Sequence, residues 1–518
     1  MRRSLPFLIC LLAASPAISQ PLASHSITDS AVECVDGLAA GYPCKSVTLM
    51  SKLAREEYTN ADELNDVWGW AHQDSGREFA LAGTGNAVAF IEVTDPENPV
   101  FLGWMATHGH DGSASWWRDI KVYKDHMFVT VDVINANGLQ VFNLLELLEP
   151  MTMAREFHET YHYDGFGQAH NVAINEATGF AYVTGAPGDN NMCPWGIHIV
   201  DIRDPAAPTY AGCYIDQQTG NRGFAGYIHD AQCFLYDGPD EDYRGKEICM
   251  AAGENGISIA DVTDKSQPSS VAYATYPGAA YVHQGWVTPD HKYYIQNDEL
   301  DELSGATVGT TTLIWDIAQL DDPVLFGEYI GATNAVDHNL YVLDEYVYLA
   351  NYAQGMRILD IGDISNPVEI AYFDTHPVDD ATDFDGAWTA YPYLPSGHIL
   401  VNSYPEGLFV IRAEGLRTVT ASEQDAEVPD AFVLSSAYPN PFNPVTTITL
   451  RVPVSQTVDV RVYDMLGREV ALLHHGILEA GPQHTLRFTA HHLQSGSFLI
   501  RASGDSHLQT QIVTLLKQ

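Results

Sequence analysis

Short apolar strands that end in Asp and lead into a turn recur along most of the chain. The unit IHIVDIRDPAAPTYAG, from Ile197 to Gly212, reads as one such strand, a Pro-containing turn and a second strand. Four related units are IEVTDPENPVFLG from Ile91, ISIADVTDKSQPSSVA from Ile257, IWDIAQLDDPVLFGEY from Ile314 and MRILDIGDISNPVEIAYF from Met356. One unit cannot bury its own apolar face, so repetition at roughly 50-residue spacing predicts a propeller or solenoid. Strands without intervening helices favour the propeller.

Each unit opens with a comparable apolar strand, and these openings predict the number of blades. They are VWGWAH at Val67, WWRDIKVY at Trp116, AHNVAIN at Ala169, IHDAQCFLY at Ile228, VHQGWVT at Val282, DHNLYVL at Asp337 and GAWTAYPYL at Gly386. Seven openings predict a seven-bladed β-propeller, and six or eight blades fit the pattern almost as well. The last unit supplies only three strands. We expect SVTLM, which ends at Met50, to add the fourth and close the ring.

The two ends of the chain differ from the repeats. Met1 to Ser19 has a basic start, an apolar middle and small residues at its end, which predicts a secretory signal peptide at 1–19. No segment is long and apolar enough to predict a transmembrane span. A polar linker is expected at 413–434, after the propeller at 34–412. Residues 435–518 alternate apolar and polar positions between turn signals, which predicts a small Ig-like β-sandwich.

Cysteine usage agrees with an exported, all-β protein. Of seven cysteines, Cys10 leaves with the signal peptide, and the remaining even number favours disulfides. Cys233 and Cys249 lie on two strands placed symmetrically about a turn, so a hairpin would set them opposite each other. Cys34 with Cys44 is a second expected pair, and Cys193 with Cys213 follows by elimination. The alternative for each pair is two buried free thiols.

The formal net charge of −42 arises from 25 basic and 67 acidic residues. A charge of this sign and size speaks against nucleic acid and anionic lipid surfaces as partners. It fits a secreted protein with a solvated acidic surface, or one that binds divalent cations.

Two stretches resemble known families. NDVWGW, WWRDIKVYKDH, HYDGFGQAHN, YIHDAQC, DGPDEDYRGKEIC and FDGAW occur in the order typical of the choice-of-anchor B family of LVIVD-repeat proteins. That resemblance covers about Cys34 to Arg412, and implies an exported or surface β-propeller without an established enzymatic activity. YPNPFNP, VYDMLGREV and SGSFLIR resemble the type A sorting domain of the type IX secretion system. This implies the type IX machinery as a partner, transport across an outer membrane, and a protein that is released or attached to the cell surface.

Four blade openings place a histidine at the same point: His170, His229, His283 and His338. The innermost strands of a propeller line its central channel, so we expect these side chains to converge on the axis, with Asp119 or Asp230 nearby. Neutral imidazole suits zinc, copper or iron, which makes the four histidines a candidate metal site. The alternative, which we favour, is that each histidine hydrogen-bonds a neighbouring blade as a latch.

The segment His158 to His162 matches the zinc-peptidase motif H-E-x-x-H, with Glu159 as the general base. That chemistry requires both histidines on one face of a helix. In the repeat register the segment is instead the outer strand of the second blade. Histidines four residues apart on a strand are about 13 Å apart, which is too far to hold one ion.

Other chemistry-bearing residues have a simpler interpretation. Three groups of acidic residues are candidate calcium ligands. The first is Asp237, Asp240 and Asp242, the second is Asp298, Glu299, Asp301 and Glu302, and the third is Asp379, Asp380, Asp383 and Asp385. None has EF-hand spacing, so we expect all three to be solvated loops. Six tryptophans lie in the strands that open the units: Trp68, Trp70, Trp116, Trp117, Trp286 and Trp388. They either form a carbohydrate-binding surface or pack between blades.

The sequence therefore favours a secreted or surface-attached binding module with an unknown extracellular protein or carbohydrate ligand. We assign no catalytic or cofactor-binding residue. The alternatives are a metalloenzyme that uses the histidine ring, and a zinc peptidase that uses His158, Glu159 and His162.

Overall fold

The computed structural model describes residues 25–109, 112–188, 192–220 and 223–416, and then 432–434, 437, 440, 442–452, 455–478, 484–490, 493–504 and 508–517. The chain divides into two compact units, Met1–Leu416 and Arg417–Gln518. The predicted signal peptide and most of the predicted linker lie outside the described residues.

The described residues of the first unit form seven sheets, numbered here by the order of their inner strands along the chain. From the inner strand outwards, sheet 1 comprises Leu64–His72, Arg77–Thr84, Ala87–Glu92, Val100–Ala106 and Arg155–Phe157. Sheet 2 comprises Arg118–Tyr123, His126–Val131, Leu139–Asn143 and Tyr161–Tyr163. Sheet 3 comprises Asn171–Asn175, Phe180–Thr184, Ile197–Asp201 and Thr209–Tyr214. Sheet 4 comprises Asp230–Leu235, Glu247–Ala252, Ile257–Asp261 and Ser269–Ala274.

The remaining sheets of this unit include strands from near the N-terminus of the described chain. Sheet 5 comprises Val282–Val287, Tyr293–Asp298, Thr311–Asp316 and Val324–Ile330. Sheet 6 comprises Asn339–Leu343, Tyr346–Ala350, Met356–Asp360, Val368–Phe373, Tyr42–Lys45 and Leu38–Ala39. Sheet 7 comprises Gly386–Tyr391, His398–Tyr404, Gly407–Ala413, Val47–Ala54 and Val32–Glu33. Helical turns occur at Arg55–Glu57, Leu144–Leu148 and Asp301–Ser304.

The inner strands form a closed cycle. Each contacts the inner strand of the next sheet, and Gly386–Tyr391 of sheet 7 contacts Leu64–His72 of sheet 1. The expected closing strand is confirmed, because Val47–Ala54 pairs antiparallel with Gly407–Ala413. This is the architecture of a β-propeller, and we interpret each sheet as one blade. Closure covers the outer edge of sheet 7, which would otherwise present unpaired backbone groups.

The recurring Asp-to-Pro segment is the turn between the third and fourth strands of a sheet. In sheet 3, the Asp204 side chain accepts a hydrogen bond from the backbone N–H of Ala206, and its carbonyl accepts one from Ala207. Asp95 and Asp363 make the same pair of bonds in sheets 1 and 6. An aspartate that binds its own backbone two residues on defines this turn, which explains why the repeat contains it.

The core of the first unit lies between neighbouring sheets. Phe90 of sheet 1 stacks on Phe142 of sheet 2 with ring centroids 4.9 Å apart, and both rings are fully buried. Phe157 meets Phe90 edge to face at 5.3 Å. Such aromatic pairs contribute about 0.5–1.5 kcal/mol each beyond the area that they bury. The apolar faces of single sheets are thus covered by adjacent sheets, as the repetition predicted.

All three predicted disulfides are present: Cys34–Cys44, Cys193–Cys213 and Cys233–Cys249. Cys233 and Cys249 lie directly opposite each other on the first two strands of sheet 4.

The C-terminal unit is the expected sandwich of two sheets. One comprises Val433–Leu434, Val445–Arg451 and His484–Thr489. The other comprises Glu469–Leu478, Gln456–Asp464, Gly496–Ser503 and Leu508–Leu515. Alternate residues such as Val458, Val460 and Val462 point into a hydrophobic core that consists of residues of this unit alone.

Candidate functional site

The four repeated histidines lie side by side at the N-terminal ends of the inner strands of sheets 3 to 6. The ring centroids of His170 and His229 are 4.5 Å apart, those of His229 and His283 are 4.0 Å apart, and those of His283 and His338 are 4.5 Å apart. The structure therefore brings together four imidazoles whose successive positions are 54 to 59 residues apart in the chain. Equivalent register in successive sheets is the cause, because the inner strands converge on one channel.

Backbone hydrogen bonds fix the tautomers of two of these rings. His229 Nδ1 donates to the carbonyl of His283 at 2.8 Å, and His338 Nδ1 donates to the carbonyl of Trp388 at 2.7 Å. A carbonyl only accepts, so the proton is on Nδ1 and Nε2 carries a lone pair. These bonds join neighbouring sheets, which is the latch role considered above, and they leave Nε2 available.

A histidine–glutamate cluster forms at one end of this row, and consists of His283, Glu299 and His338. Their ligand atoms lie within 4.8 Å of one another. Glu299 Oε1 is 3.9 Å from His283 Nε2 and 3.7 Å from His338 Nε2. The Tyr352 hydroxyl donates to the same Glu299 oxygen at 2.9 Å. This tyrosine holds the carboxylate in place beside the two rings.

The rings of the cluster are neutral. Burial, followed by the neighbouring imidazoles, lowers the pKa of His283 well below its usual range. Burial lowers the pKa of His338 to about 3. Neutral imidazole is the form that binds metal ions, so the cluster is ready to bind one without first losing a proton.

His170, at the other end of the row, has a different environment. Its Nδ1 lies 3.0 Å from Asp132 Oδ2. Burial opposes the charged ring, but the hydrogen bond and charge of Asp132 outweigh it and raise the pKa of His170. His170 therefore differs from His283 and His338, whose pKa values are lowered, and the predicted set of four histidines divides into unlike members.

Asp119, one of the two aspartates expected near the histidines, belongs to a set of latch residues, defined here as Asp66, Asp119, Gln232 and Gln284. Each accepts a hydrogen bond from a backbone N–H in the inner strand of the following sheet; the donors are Ile120, Val172, Val287 and Leu340, at 2.7–2.9 Å. Asp119 also pairs with Lys121. The Thr389 hydroxyl of sheet 7 donates to Asp66 at 2.7 Å and so links sheet 7 to sheet 1.

The inner strands enclose a cavity of about 350 Å³ beyond the histidines. Aromatic side chains from three sheets line it, namely Trp68, Trp286, Tyr391 and Tyr393, together with Lys121 and Asp230. Lys121 Nζ lies 4.5 Å from the centre of the Trp68 ring. Asp230, the other aspartate expected near the histidines, lines this cavity, and its charge contributes to the raised pKa of His170.

The remaining tryptophans divide between the core and the surface. Trp70 is buried, and Trp388 packs against His338 at 4.8 Å. Trp116 and Trp117 are each 40% exposed. Packing therefore accounts for Trp70 and Trp388, and two tryptophans face solvent.

The H-E-x-x-H segment was predicted as a strand, but only its last two residues, Tyr161 and His162, lie in one; His158 to Thr160 form the connection that follows Arg155–Phe157. Tyr161–Tyr163 is the outer strand of sheet 2, and the residues before it are not helical. Glu159 binds His108 Nδ1 at 2.6 Å, and His162 binds the carbonyl of Asn137 at 2.7 Å. The His108 ring, not the His158 ring, stacks on His162 at 3.6 Å. The arrangement is not that of a zinc peptidase, whose ligands project from one helix.

One acidic loop does not have the solvated character that its sequence predicted. Asp298, Asp301 and Glu302 are 0%, 2% and 5% exposed. Glu299 of the same loop contributes to the histidine–glutamate cluster. The expectation of a solvated loop was wrong here, because the segment folds inward beside the buried Asp337.

Two family models match the chain. Residues 436–515 match the secretion system C-terminal sorting domain, and residues 166–216 and 338–375 match the LVIVD repeat. The chain is therefore an LVIVD-repeat propeller followed by a sorting domain. It is a cargo of the type IX secretion system, with an extracellular or cell-surface location. The described residues include no helix of the length and apolar character needed to span a membrane.

Solved structures with a similar course of the chain have low sequence identity. PorZ, a surface component of the type IX secretion system of Porphyromonas gingivalis, is 12% identical, with 88% of this chain and 60% of that chain covered and a TM-score of 0.42. A protein from Lactobacillus plantarum is 12% identical, with 78% and 96% covered and a TM-score of 0.42. A hypothetical selenium-binding protein from Sulfolobus tokodaii is 13% identical, with 62% and 85% covered and a TM-score of 0.39.

The present chain thus spans 60% of the PorZ chain. The three TM-scores are below 0.5, so these likenesses do not bear on function. The chain matches none of the curated proteins with which it was compared.

Proposed function

We propose that this protein is a secreted binding module that holds one transition-metal ion through His283, His338 and Glu299. The observation that carries the proposal is the convergence of two imidazole Nε2 atoms on one carboxylate oxygen, at 3.9 and 3.7 Å. Two metal–ligand bonds of about 2.0–2.1 Å span up to about 4.2 Å, so one ion fits between these atoms with small side-chain shifts.

The donor set favours a borderline metal ion. Two imidazoles and one carboxylate suit zinc, copper or iron, and leave further coordination positions open. An extracellular ligand that donates to those positions would complete the coordination. The proposal therefore defines the ligand by its chemistry: it must carry a group that can bind the metal ion.

The surrounding contacts support a metal site because they resemble the outer contacts of known sites. Ligating histidines usually donate their second N–H to a backbone carbonyl or a carboxylate. His338 donates in this way to Trp388, and Tyr352 holds Glu299. A latch role needs only Nδ1, so both roles are compatible in His338.

The test is elemental analysis of the untagged mature protein after dialysis against micromolar zinc. We expect one equivalent of zinc in the wild type, and loss of that equivalent when His283 and His338 are both changed to Ala. The His198→Gln variant is the matched control, because His198 is a buried histidine of sheet 3 outside the cluster. The His170→Asn variant should also retain zinc.

Circular dichroism establishes that each variant is folded before zinc is measured. A wild-type protein without bound zinc would refute the proposal, as would a folded double variant that retains a full equivalent. Loss of zinc in the His170→Asn variant would favour the wider ring of four histidines over the cluster.

A further inference from the structure

A second cluster beside the first consists only of carboxylates. Asp301 and Glu302 belong to the short helix after the second strand of sheet 5, and Asp337 precedes the inner strand of sheet 6. One carboxylate oxygen from each lies within 4.8 Å of the others. The three residues are 2%, 5% and 0% exposed, so solvent does not screen their charges. We refer to them as the carboxylate cluster.

Most oxygens of the carboxylate cluster have no hydrogen-bond partner within the described part of the chain. These are Asp301 Oδ1, Asp337 Oδ1 and both oxygens of Glu302. Asp337 Oδ2 accepts from the backbone N–H of Thr311 at 3.1 Å. No ion pair joins the three to a described basic side chain. Burying a carboxylate without a partner costs several kcal/mol, so this geometry requires a missing positive charge or shared protons.

The neighbouring Asp298 shows how the same loop treats a structural carboxylate. Its oxygens accept from the Tyr276 hydroxyl at 2.6 Å and from the backbone N–H groups of Ala280 at 2.7 Å and Tyr281 at 2.6 Å. Asp298 is fully buried and fully bonded within the protein. The unpartnered oxygens a few residues later are therefore specific to the carboxylate cluster.

A divalent cation would neutralise two of the three charges and bind the unpartnered lone pairs directly.

We infer that Asp301, Glu302 and Asp337 bind one calcium ion. The cluster offers oxygens alone, which is the donor type that calcium takes. Two Ca–O bonds of about 2.4 Å span about 4.8 Å, which equals the limit of the observed separation.

Calcium would connect two parts of the propeller. It would tie the loop of sheet 5 that carries Glu299 to the residue before His338, and so fix two members of the histidine–glutamate cluster. The inference does not depend on the proposed transition-metal site, because the two sites share no ligand and differ in donor type. Extracellular modules bind calcium with Kd values of about 0.1–1 mM, a range that suits an exported protein.

The test is calorimetry on the untagged mature protein after chelator treatment, with calcium alone as the titrant at neutral pH. We expect one calcium equivalent and a rise in Tm with calcium concentration. Glu302→Gln should weaken calcium binding by about tenfold or more, because affinity follows the number of charged ligands. Asp337→Asn is the second variant, and Asp74→Asn, at an exposed position outside every candidate calcium group, is the control.

Wild-type protein that neither binds calcium nor gains stability in 10 mM calcium would overturn the inference and leave shared protons as the explanation. Retention of full calcium affinity in a folded Glu302→Gln protein would also overturn it. The two site assignments fail separately. The His283→Ala and His338→Ala double variant should keep its response to calcium, and Glu302→Gln should keep its zinc.

Discussion

The latch residues and the two clusters are both buried in the propeller, but they differ in what their polar atoms contact. Asp66 accepts from Ile120 N–H and from the Thr389 hydroxyl, and lies 4.0 Å from Lys121 Nζ. His283 Nδ1 and both oxygens of Glu302 have no partner among the described residues. Both sets are buried, so burial alone does not distinguish a structural polar group from a ligand-binding one.

The difference shows what a buried polar side chain is used for. A group whose hydrogen bonds are all made within the protein contributes specificity between blades, and its loss leaves partners unsatisfied. A group with unmade bonds lowers stability until something binds it. We therefore expect mutation of a latch residue to lower stability and leave ion binding unchanged. Mutation of a cluster carboxylate should instead weaken ion binding and leave the ion-free protein at least as stable.

The largest effect should come from Asp66→Ala, which removes a latch. This change leaves Ile120 N–H and the Thr389 hydroxyl without an acceptor, at a cost of about 1–3 kcal/mol for each buried donor. Urea denaturation of the wild type and the variant measures the loss. Asp74→Ala, at an exposed position, is the control and should have little effect. Equal midpoints for all three proteins would show that the latches are not structural.

A second, smaller effect concerns a buried histidine of the propeller wall. Burial lowers the pKa of His198 to about 4, and its Nε2 is hydrogen-bonded to the Tyr163 hydroxyl. The unfolded chain binds a proton near pH 6.5 and the folded chain does not, so this contribution is present above pH 6.5 and is lost as the pH falls towards 4. The shift corresponds to about 3 kcal/mol at most.

Urea midpoints between pH 7.5 and 4.5 measure this effect. The His198→Gln protein should lose less stability over that range than the wild type, and the exposed His25→Gln protein should follow the wild type. Parallel pH profiles for all three proteins would mean that His198 accepts a proton in the folded state.

The smallest effect should come from Tyr352→Phe, which removes the hydrogen bond to Glu299. Mutation of a residue that orients a metal ligand typically weakens metal binding by about 10–100-fold. The loss of one hydrogen bond costs about 1 kcal/mol of stability. Zinc titration measures the first quantity. Tyr391→Phe is the matched control, because its hydroxyl binds the carbonyl of Gly69 in the channel wall. Equal zinc affinities would remove Tyr352 from the site.

The sequence predicted much of this architecture because its signals are local and repeated. Alternating apolar positions and Asp-containing turns located the inner strands, and the symmetric placement of Cys233 and Cys249 about a turn gave their pairing. The histidine row was found for the same reason, since one register position recurs in four units. SVTLM was placed correctly because the last unit lacked a strand.

The sequence did not predict the other members of the clusters. Glu299 and Tyr352 lie in connections between the second and third strands of sheets 5 and 6. The repeat pattern does not fix which way a side chain points in such a connection. The run DELDE resembles a surface loop, and only packing beside Asp337 buries it. Asp119 was expected near the histidines from its place in the repeat, and the sequence could not show that its carboxylate accepts from Val172 N–H of the next sheet.

The most direct measurement is anomalous X-ray diffraction, above the zinc absorption edge, from crystals of the mature protein soaked in zinc. The account predicts one strong anomalous peak within bonding distance of His283 Nε2, His338 Nε2 and a Glu299 oxygen. A map without a peak at this position, or with its main peak between His170 and His229, would contradict the assignment of the histidine–glutamate cluster as the metal site.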